Sequence, residues 1–355
     1  MDNSNSQLKT QQSTLSPLSS SKEIENKFST LSVSSTLTLS SDSIDGKYVP
    51  KINGKTLTEL LKYQSFEDIL GEVLSKKINI YKELPKEDVH FGTDDIMAVG
   101  ASGKVYKGRY RNKDVAIKVY STENFCFNTE EFDREITIMS LIDSDHPNFT
   151  RFYGANKQNP KYLFMVSEYV QGGSLRDLLL NKDKPLTYFT QLSIALDIAN
   201  AMQYLHSIGV IHRDLKSLNV LITDDYSAKV IDFGTSRAID VSKQMTLNLG
   251  TSSWMGPELF RNEPYTELCD VYAFGIVLWE IFCRKEPYEG VNSWSIPLMV
   301  AKGERPPVPS DCPSEYSKLM KACWADKPKK RPKFKDIHQT LKHMVENLTL
   351  KRSKK

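Results

Sequence analysis

The run His212-Arg213-Asp214-Leu215-Lys216-Ser217-Leu218-Asn219 holds a carboxylate, an ammonium and an amide within a few residues of each other, and Asp232-Phe233-Gly234 brings a second carboxylate eighteen positions after Asp214. The first carboxylate could take up or orient the proton of an attacking hydroxyl. The amide and the second carboxylate could hold the metal ions that neutralise phosphates. Magnesium-assisted phosphoryl transfer needs these groups, because positioning and electrostatics carry most of its catalysis.

Such groups work only if the backbone gathers them. Val220 to Thr223 and Lys229 to Ile231 are short β-rich runs separated by Asp224-Asp225-Tyr226-Ser227; a hairpin there brings Asp214, Asn219 and Asp232 to neighbouring points. Upstream, Val99-Gly100-Ala101-Ser102-Gly103-Lys104-Val105 reads as a strand-turn-strand. Its glycines would let backbone N–H groups approach phosphates without a Cβ in the way. In Asp114 to Tyr120 strict alternation puts Ala116 and Lys118 on one strand face, with Val115, Ile117 and Val119 on the other. A helix opened by Asn128, with Glu131 at capping-box spacing, carries Phe132, Glu135, Met139 and Ile142 on one face. A carboxylate in such an apolar stripe is costly unless it meets a cation. Leu163 to Val170 is a buried strand running into the flexible break Gln171-Gly172-Gly173.

With these motifs in this order over roughly 260 residues, the chain resembles the eukaryotic protein kinase family. The resemblance implies an α+β, bilobal fold, with a small β-rich N-lobe carrying one key helix and a larger, mainly helical C-lobe. It implies ATP with magnesium as cofactors, manganese being an alternative ion. Lys118 would pair with Glu135 and hold the α- and β-phosphates. Asp214 would orient the substrate hydroxyl, Lys216 would neutralise the transferred phosphoryl group, and Asn219 and Asp232 would ligate metal. Val99, Gly100, Ala101, Ser102 and Gly103 would cover the phosphates. Val105, Ala116 and Leu221 would sandwich the adenine, whose backbone hydrogen bonds fall at Glu168 and Val170; Ser167 would screen the pocket behind it. His212 and Phe233 would stack with Met139 and Phe152, Glu258 would pair with Arg331, and Asp270 would accept hydrogen bonds from the catalytic-loop backbone. The chain departs from the family pattern at Ala98, where the first glycine of the loop falls, at the missing aromatic beside Ser102, and at Gly256, where the family has alanine.

Lys216, together with Gly250-Thr251 ahead of Trp254-Met255-Gly256-Pro257-Glu258, is most similar to the tyrosine-kinase-like group, which is mostly serine/threonine-specific. The expected partners are therefore proteins with Ser/Thr acceptors, in intracellular signalling. The alternatives are a dual-specificity kinase, or a pseudokinase acting as an ATP-binding scaffold. Arg213 is expected to bind a phosphate, with Thr246 as the site of autophosphorylation in trans; Thr251 is expected to stay unmodified beside Asp214 and Lys216.

Composition bounds the rest. With 355 residues, 39% of them hydrophobic, the chain can bury a sizeable core, and its formal charge of +3 dictates no partner. Basic residues form no stripe or stacking platform, so no nucleic-acid role is expected. Five cysteines without a CxxC pair argue for a reducing compartment. No apolar run is long enough for a signal core or a transmembrane segment, and Asp2 excludes N-myristoylation; the expected location is cytoplasmic. Residues 1–45, rich in Ser, Thr, Asn and Gln, are expected to be disordered. Residues 46–88 read as a helical extension, since Leu57, Leu60, Leu61, Phe66, Ile69, Leu70, Val73 and Leu74 recur at helical spacing. Its apolar face is expected to pack on the adjacent kinase domain, 89–346, which a basic tail, 347–355, follows.

Overall fold

The computed structural model describes residues 39–44, 47–52, 54–76, 79–100, 103–120, 129–142, 145–158, 162–238 and 249–353. The chain opens with a β-hairpin, β1 (Leu39–Ile44) and β2 (Lys47–Ile52), then two helices, α1 (Leu57–Leu60) and α2 (Phe66–Ser75). The hairpin differs from the sequence expectation on both sides of residue 45. A backbone-paired ribbon leaves little trace in a Ser-rich composition. Residues 1–38, the bulk of the segment expected to be disordered, lie outside the described residues.

Both extension helices start as their side chains dictate. Thr56 with Glu59, and Ser65 with Asp68, form reciprocal capping boxes, which satisfy two otherwise orphaned N–H groups at each helix start.

Next comes an antiparallel sheet of six strands: β3 (Val89–His90), β4 (Ile96–Gly100), β5 (Gly103–Tyr110), β6 (Lys113–Tyr120), and, after helix α3 (Thr129–Leu141), β7 (Phe152–Asn156) and β8 (Phe164–Glu168). The strand order is β3-β5-β6-β8-β7, with β4 paired to the far end of β5. Arg111 and Asn112, both left-handed (φ 47° and 63°), turn β5 into β6, and such a two-residue turn matches the twist of the strands. Val115 and Ile117 are fully buried among Leu84, Val89, Tyr110, Phe164 and Val166. The opposite face of β6 is thereby left to Ala116 and Lys118, as alternation predicts.

The large lobe contains α4 (Leu175–Leu180), α5 (Tyr188–Ser207), β9 (Val210–Ile211), the hairpin β10 (Val220–Ile222) and β11 (Ala228–Val230), β12 (Arg237–Ala238), α6 (Pro257–Phe260), α7 (Leu268–Cys283), α8 (Ile296–Ala301), α9 (Ser314–Cys323) and α10 (Phe334–Ser353). Every residue of α7 from Cys269 to Ile281 is buried, so this all-round apolar helix is the axis of the lobe. The chain is thus an α+β, two-lobed molecule. Helix α10 runs on through the segment expected to be a basic tail. That sequence contains no glycine or proline, and Lys351 and Arg352 suit the negative end of the helix dipole. No helix among the described residues is long and apolar enough to cross a membrane.

Candidate active site

Strand β6 delivers Lys118 into the space between the lobes. Its ammonium lies 2.7 and 3.0 Å from the two oxygens of Glu135 on α3 and 3.2 Å from Asp232 Oδ1. Glu135 is 2% exposed. Burial pushes its carboxyl above the ordinary glutamate range, partly offset by Lys118. Burial would lower Lys118, but Asp232 and Glu135 outweigh it and hold the ammonium well above the usual lysine value. Lys118 in turn is the main reason that Asp232 stays below the ordinary carboxylate range. A buried carboxylate is tolerable only with such a partner and further hydrogen bonds. Tyr120 supplies one, donating to Glu135 Oε2 at 2.6 Å. Tyr120 was not singled out from the sequence, although it follows Lys118 by two residues on the same strand face and alternation points to it.

The catalytic-loop candidates form a second cluster. Lys216 Nζ donates to Asp214 Oδ2 at 2.7 Å, and Asn219 Nδ2 donates to the same oxygen at 2.9 Å and to the Asp214 carbonyl at 2.8 Å. The β10–β11 hairpin, in register Val220 to Val230, returns the chain so that Ile231 N–H donates to the Asn219 carbonyl at 3.0 Å, and Asp232 follows beside the loop. Arg213 and Asp232 both have left-handed backbones (φ 71° and 69°). Strain of this kind persists only where the surroundings over-determine it, and here they do. Asp270, at the start of α7, accepts the backbone N–H groups of His212 and Arg213, each at 2.8 Å, and the His206 ring at 2.9 Å. His212 donates from Nε2 to the Ile231 carbonyl at 3.0 Å and packs on Phe233, 5.4 Å between centroids. Phe149, 5.9 Å from Phe233, is a neighbour of this pair that the sequence reading did not include.

The adenine-side candidates line one cleft. Ala116 faces Ser167 across β6 and β8, Val105 pairs with Lys118, and Leu221 bridges to Ser174 below the lobe connection. Val105, Ala116, Ser167 and Leu221 are all half-buried, while Val170 is buried. Glu168 turns its side chain away to accept from Lys229 Nζ at 3.2 Å and from Arg151 N–H at 3.1 Å, which leaves only its backbone for the cleft. Of the phosphate-loop candidates, Val99 is 71% exposed. Gly100 pairs with Gly103, where a Cβ would come within 2.1 Å of the Val119 carbonyl and φ is +153°; only glycine fits. Ala101, Ser102 and Thr246 lie outside the described residues, as does the Thr251 side chain.

Two further groups were missed in the sequence. Glu280, in the last turn of α7, is 3% exposed. It accepts from Ser217 Oγ at 2.5 Å and from Trp254 Nε1 at 2.7 Å, tying the catalytic loop to the segment before α6. Burial pushes its carboxyl up to about 7, against those hydrogen bonds. A charge inside an all-apolar helix was the available signal. The second group is Arg134, next to Glu135. Arg134 Nη1 and Arg213 Nε are buried nitrogens without a hydrogen-bond partner among the described residues. Burial lowers Arg134 below the ordinary arginine value; Glu131 and Glu130 oppose that, and the nearby Arg213 charge adds to it.

Arg331 forms a bidentate pair with Glu258 at 2.6 and 2.7 Å, both side chains at most 1% exposed. Removing one partner of such a pair costs about 3–5 kcal/mol. Gly256, where the family pattern has alanine, stands beside this pair. A Cβ on it would lie 2.6 Å from both Glu258 oxygens, so the carboxylate folds back over the glycine.

A family model described as protein tyrosine and serine/threonine kinase matches residues 92–341. A probable LIM domain-containing serine/threonine-protein kinase of Dictyostelium discoideum is 79% identical over 309 residues, covering 87% of this chain and 47% of that protein. A second protein of the same description and organism is 74% identical over 319 residues, 90% of this chain and 33% of the relative. The chain therefore spans about half and a third of the lengths of these two curated relatives. The serine/threonine/tyrosine-protein kinase HT1 of Arabidopsis thaliana is 41% identical over 248 residues, 68% of this chain and 63% of that protein. With its two-lobed fold, the Lys118–Glu135 pair and a family model spanning most of its length, the chain belongs to the protein tyrosine and serine/threonine kinase family.

Proposed function

We propose that this chain is a protein kinase that transfers the γ-phosphoryl group of ATP to Ser or Thr hydroxyls of protein substrates, in cytoplasmic signalling. The observation that carries this reading is the assembly of two clusters across one cleft. Lys118 is held by Glu135 and Asp232 on one side, and Asp214 by Lys216 and Asn219 on the other. The names of the two Dictyostelium relatives support Ser/Thr rather than Tyr as acceptor.

The donor set fits magnesium. With the Asn219 amide nitrogen committed to Asp214, its amide oxygen is the atom left to accept a cation. Asp232, 37% exposed, reaches the cleft. Two hard oxygen donors, completed by phosphate and water, make a magnesium site of the usual kind. When bound, the ion supplies charge neutralisation at the phosphates.

The chain's own residues do the rest. Lys118, fixed by Glu135, holds the α- and β-phosphates. Lys216 and Asn219 occupy Asp214 Oδ2, leaving Oδ1 to orient the substrate hydroxyl and receive its proton. Lys216 then offsets charge on the group in transfer. Position outweighs basicity in this chemistry, so an ordinary aspartate suffices.

The test is magnesium-dependent autophosphorylation and peptide phosphorylation by the purified chain. Asp214→Asn keeps the shape and removes the proton acceptor, and it should lower the rate at least about a hundredfold with ATP affinity unchanged. A parent chain that binds Mg-ATP without transferring phosphate would instead be the ATP-binding scaffold.

A further inference from the structure

Helix α3 is buried on every side over its second half. Each residue from Glu135 to Ile142 is buried, Thr137 and Ser140 included at 4% and 9% exposure. A helix resting on a sheet normally leaves its outer face to water. Here Thr137 Oγ donates back to the Asp133 carbonyl and Ser140 Oγ to the Ile136 carbonyl, both at 2.6 Å. Hydroxyls satisfied this way do not need solvent.

Two layers lie against α3. The sheet side takes Phe132 and Ile136 into a cluster with Tyr81, Tyr120, Leu163 and Met165. The other layer is the extension, since both β2 and α2 lie against α3. Helix α2 presents Phe66, Ile69, Leu70 and Val73, spaced as one helical face and 1–6% exposed. The same helix also meets the large lobe, at β12 and near Gly209, where a Cβ added to the glycine would stand 3.7 Å from Phe66 Cβ. After α2 the chain is fastened to the small-lobe sheet edge. Leu84 N–H donates to the Ala155 carbonyl at 2.8 Å and Ala155 N–H to the Lys82 carbonyl at 3.0 Å, and Asn156 Nδ2 donates to the Leu84 carbonyl at 2.8 Å.

We propose that α2 is a positioning element for Glu135: seated between α3 and the β12 edge of the large lobe, it fixes the rotation of α3 that keeps Glu135 on Lys118. The extension thereby becomes part of the machinery that assembles the phosphate site. Its effect on activity rests on the roles proposed above for Lys118 and Glu135. Glu135 is desolvated, so its pairing is favourable only in a narrow geometry, and a helix free to roll would lose it. With α2 docked, rolling would expose apolar surface on both helices.

The experiment uses the full chain with Ile69→Ala, Val73→Ala and the conservative Ile69→Val. Melting temperature, kcat and KM for a Ser/Thr peptide, and Mg-ATP affinity by calorimetry are measured together, well below the melting transition. The alanine variants should remain folded, lose about tenfold in kcat/KM and in Mg-ATP affinity, a mid-range coupling for one packed network, and Ile69→Val should restore most of both. In a Glu135→Gln background, Ile69→Ala should add less than about a twofold loss of Mg-ATP affinity, because the shared step is already gone. A folded Ile69→Ala protein with parental kcat/KM and ATP affinity would overturn the proposal, as would an undiminished effect in the Glu135→Gln background. If the parent transfers no phosphate, the kinase reading fails, while the calorimetric arm still decides whether α2 positions Glu135.

Discussion

At the residue scale most buried carboxylates of the site meet an opposite charge, whereas Glu280 is held by neutral donors. It is buried with two neutral hydrogen-bond donors, Ser217 and Trp254; Arg176 contributes attraction from a distance, being itself paired with Glu286. With an unfolded value near 4.5 and a folded value of about 7, the folded chain retains the Glu280 proton between those limits and the unfolded chain does not. Stability from this group therefore falls as pH rises from 4.5 to 7, and the loss, up to roughly 3 kcal/mol, is complete above 7. Glu280→Gln keeps an acceptor for Trp254 and a donor for Ser217. It should remove this slope and raise the melting temperature at pH 8 relative to the parent. Glu280→Ala leaves both donors unpaired and should lower it at every pH. A parental slope in Glu280→Gln, read from melting curves between pH 5.5 and 8, would locate the titration elsewhere.

At the element scale, local pattern and long-range contact part company. The alternation of β6 placed Lys118 correctly against Ala116, and the apolar stripe of α3 marked Glu135, because both signals lie within one element. The hairpin that brings Asn219 to Asp232 was legible from two β-rich runs and a turn. What the sequence hid were partners far along the chain: Ser217 and Trp254 converge on Glu280 from 63 and 26 residues away, and a lone acid in an apolar helix names no partner. Sequence pattern put α2 on the domain without saying which helix it would brace. The β1–β2 hairpin pairs through backbone groups that composition does not reveal. Strand register carries a prediction of its own. Ser167 stands opposite Ala116 on β8, at the back of the proposed adenine site, and its side chain is small. Ser167→Met should narrow that opening. Inhibition by bulky ATP-site compounds should weaken at least about tenfold, the scale set by one obstructing methylene or more, while the KM for ATP stays within twofold. Equal inhibition of the two proteins would place the compounds elsewhere.

At the scale of the whole molecule, activity depends on how two lobes are held together, and each tie uses a different interaction. Glu168 and Lys229 join the strand before the lobe connection to the β10–β11 hairpin. Lys118 and Asp232 join β6 to the segment after β11. Phe149 and Phe233 meet edge to face across the same boundary. One boundary feature lacks an anion: Arg134 of the small lobe, whose charge Glu131 and Glu130 partly offset, lies within electrostatic reach of Arg213 of the large lobe, each with a buried nitrogen lacking a partner among the described residues. Arg213 also lies over the Tyr265 ring at 5.5 Å, which fixes its plane but supplies no anion. A phosphate carried on the segment between Asp232 and Glu258 would satisfy both guanidiniums and bridge the lobes. Thr246, four residues before Gly250, is the acceptor proposed for it. In the parent, phosphatase treatment should lower peptide phosphorylation about tenfold, the worth of one charge-assisted hydrogen bond. Thr246→Ala should be equally low and insensitive to phosphatase. Arg134→Ala separates this arrangement from a simple loss of Arg213. It removes one of the two guanidiniums that the phosphate would bridge and leaves Arg213 in place, so its activity should not respond to phosphatase. If Arg134→Ala keeps the full phosphatase response, Arg213 acts alone; if the parent shows none, phosphorylation of this segment does not control the enzyme.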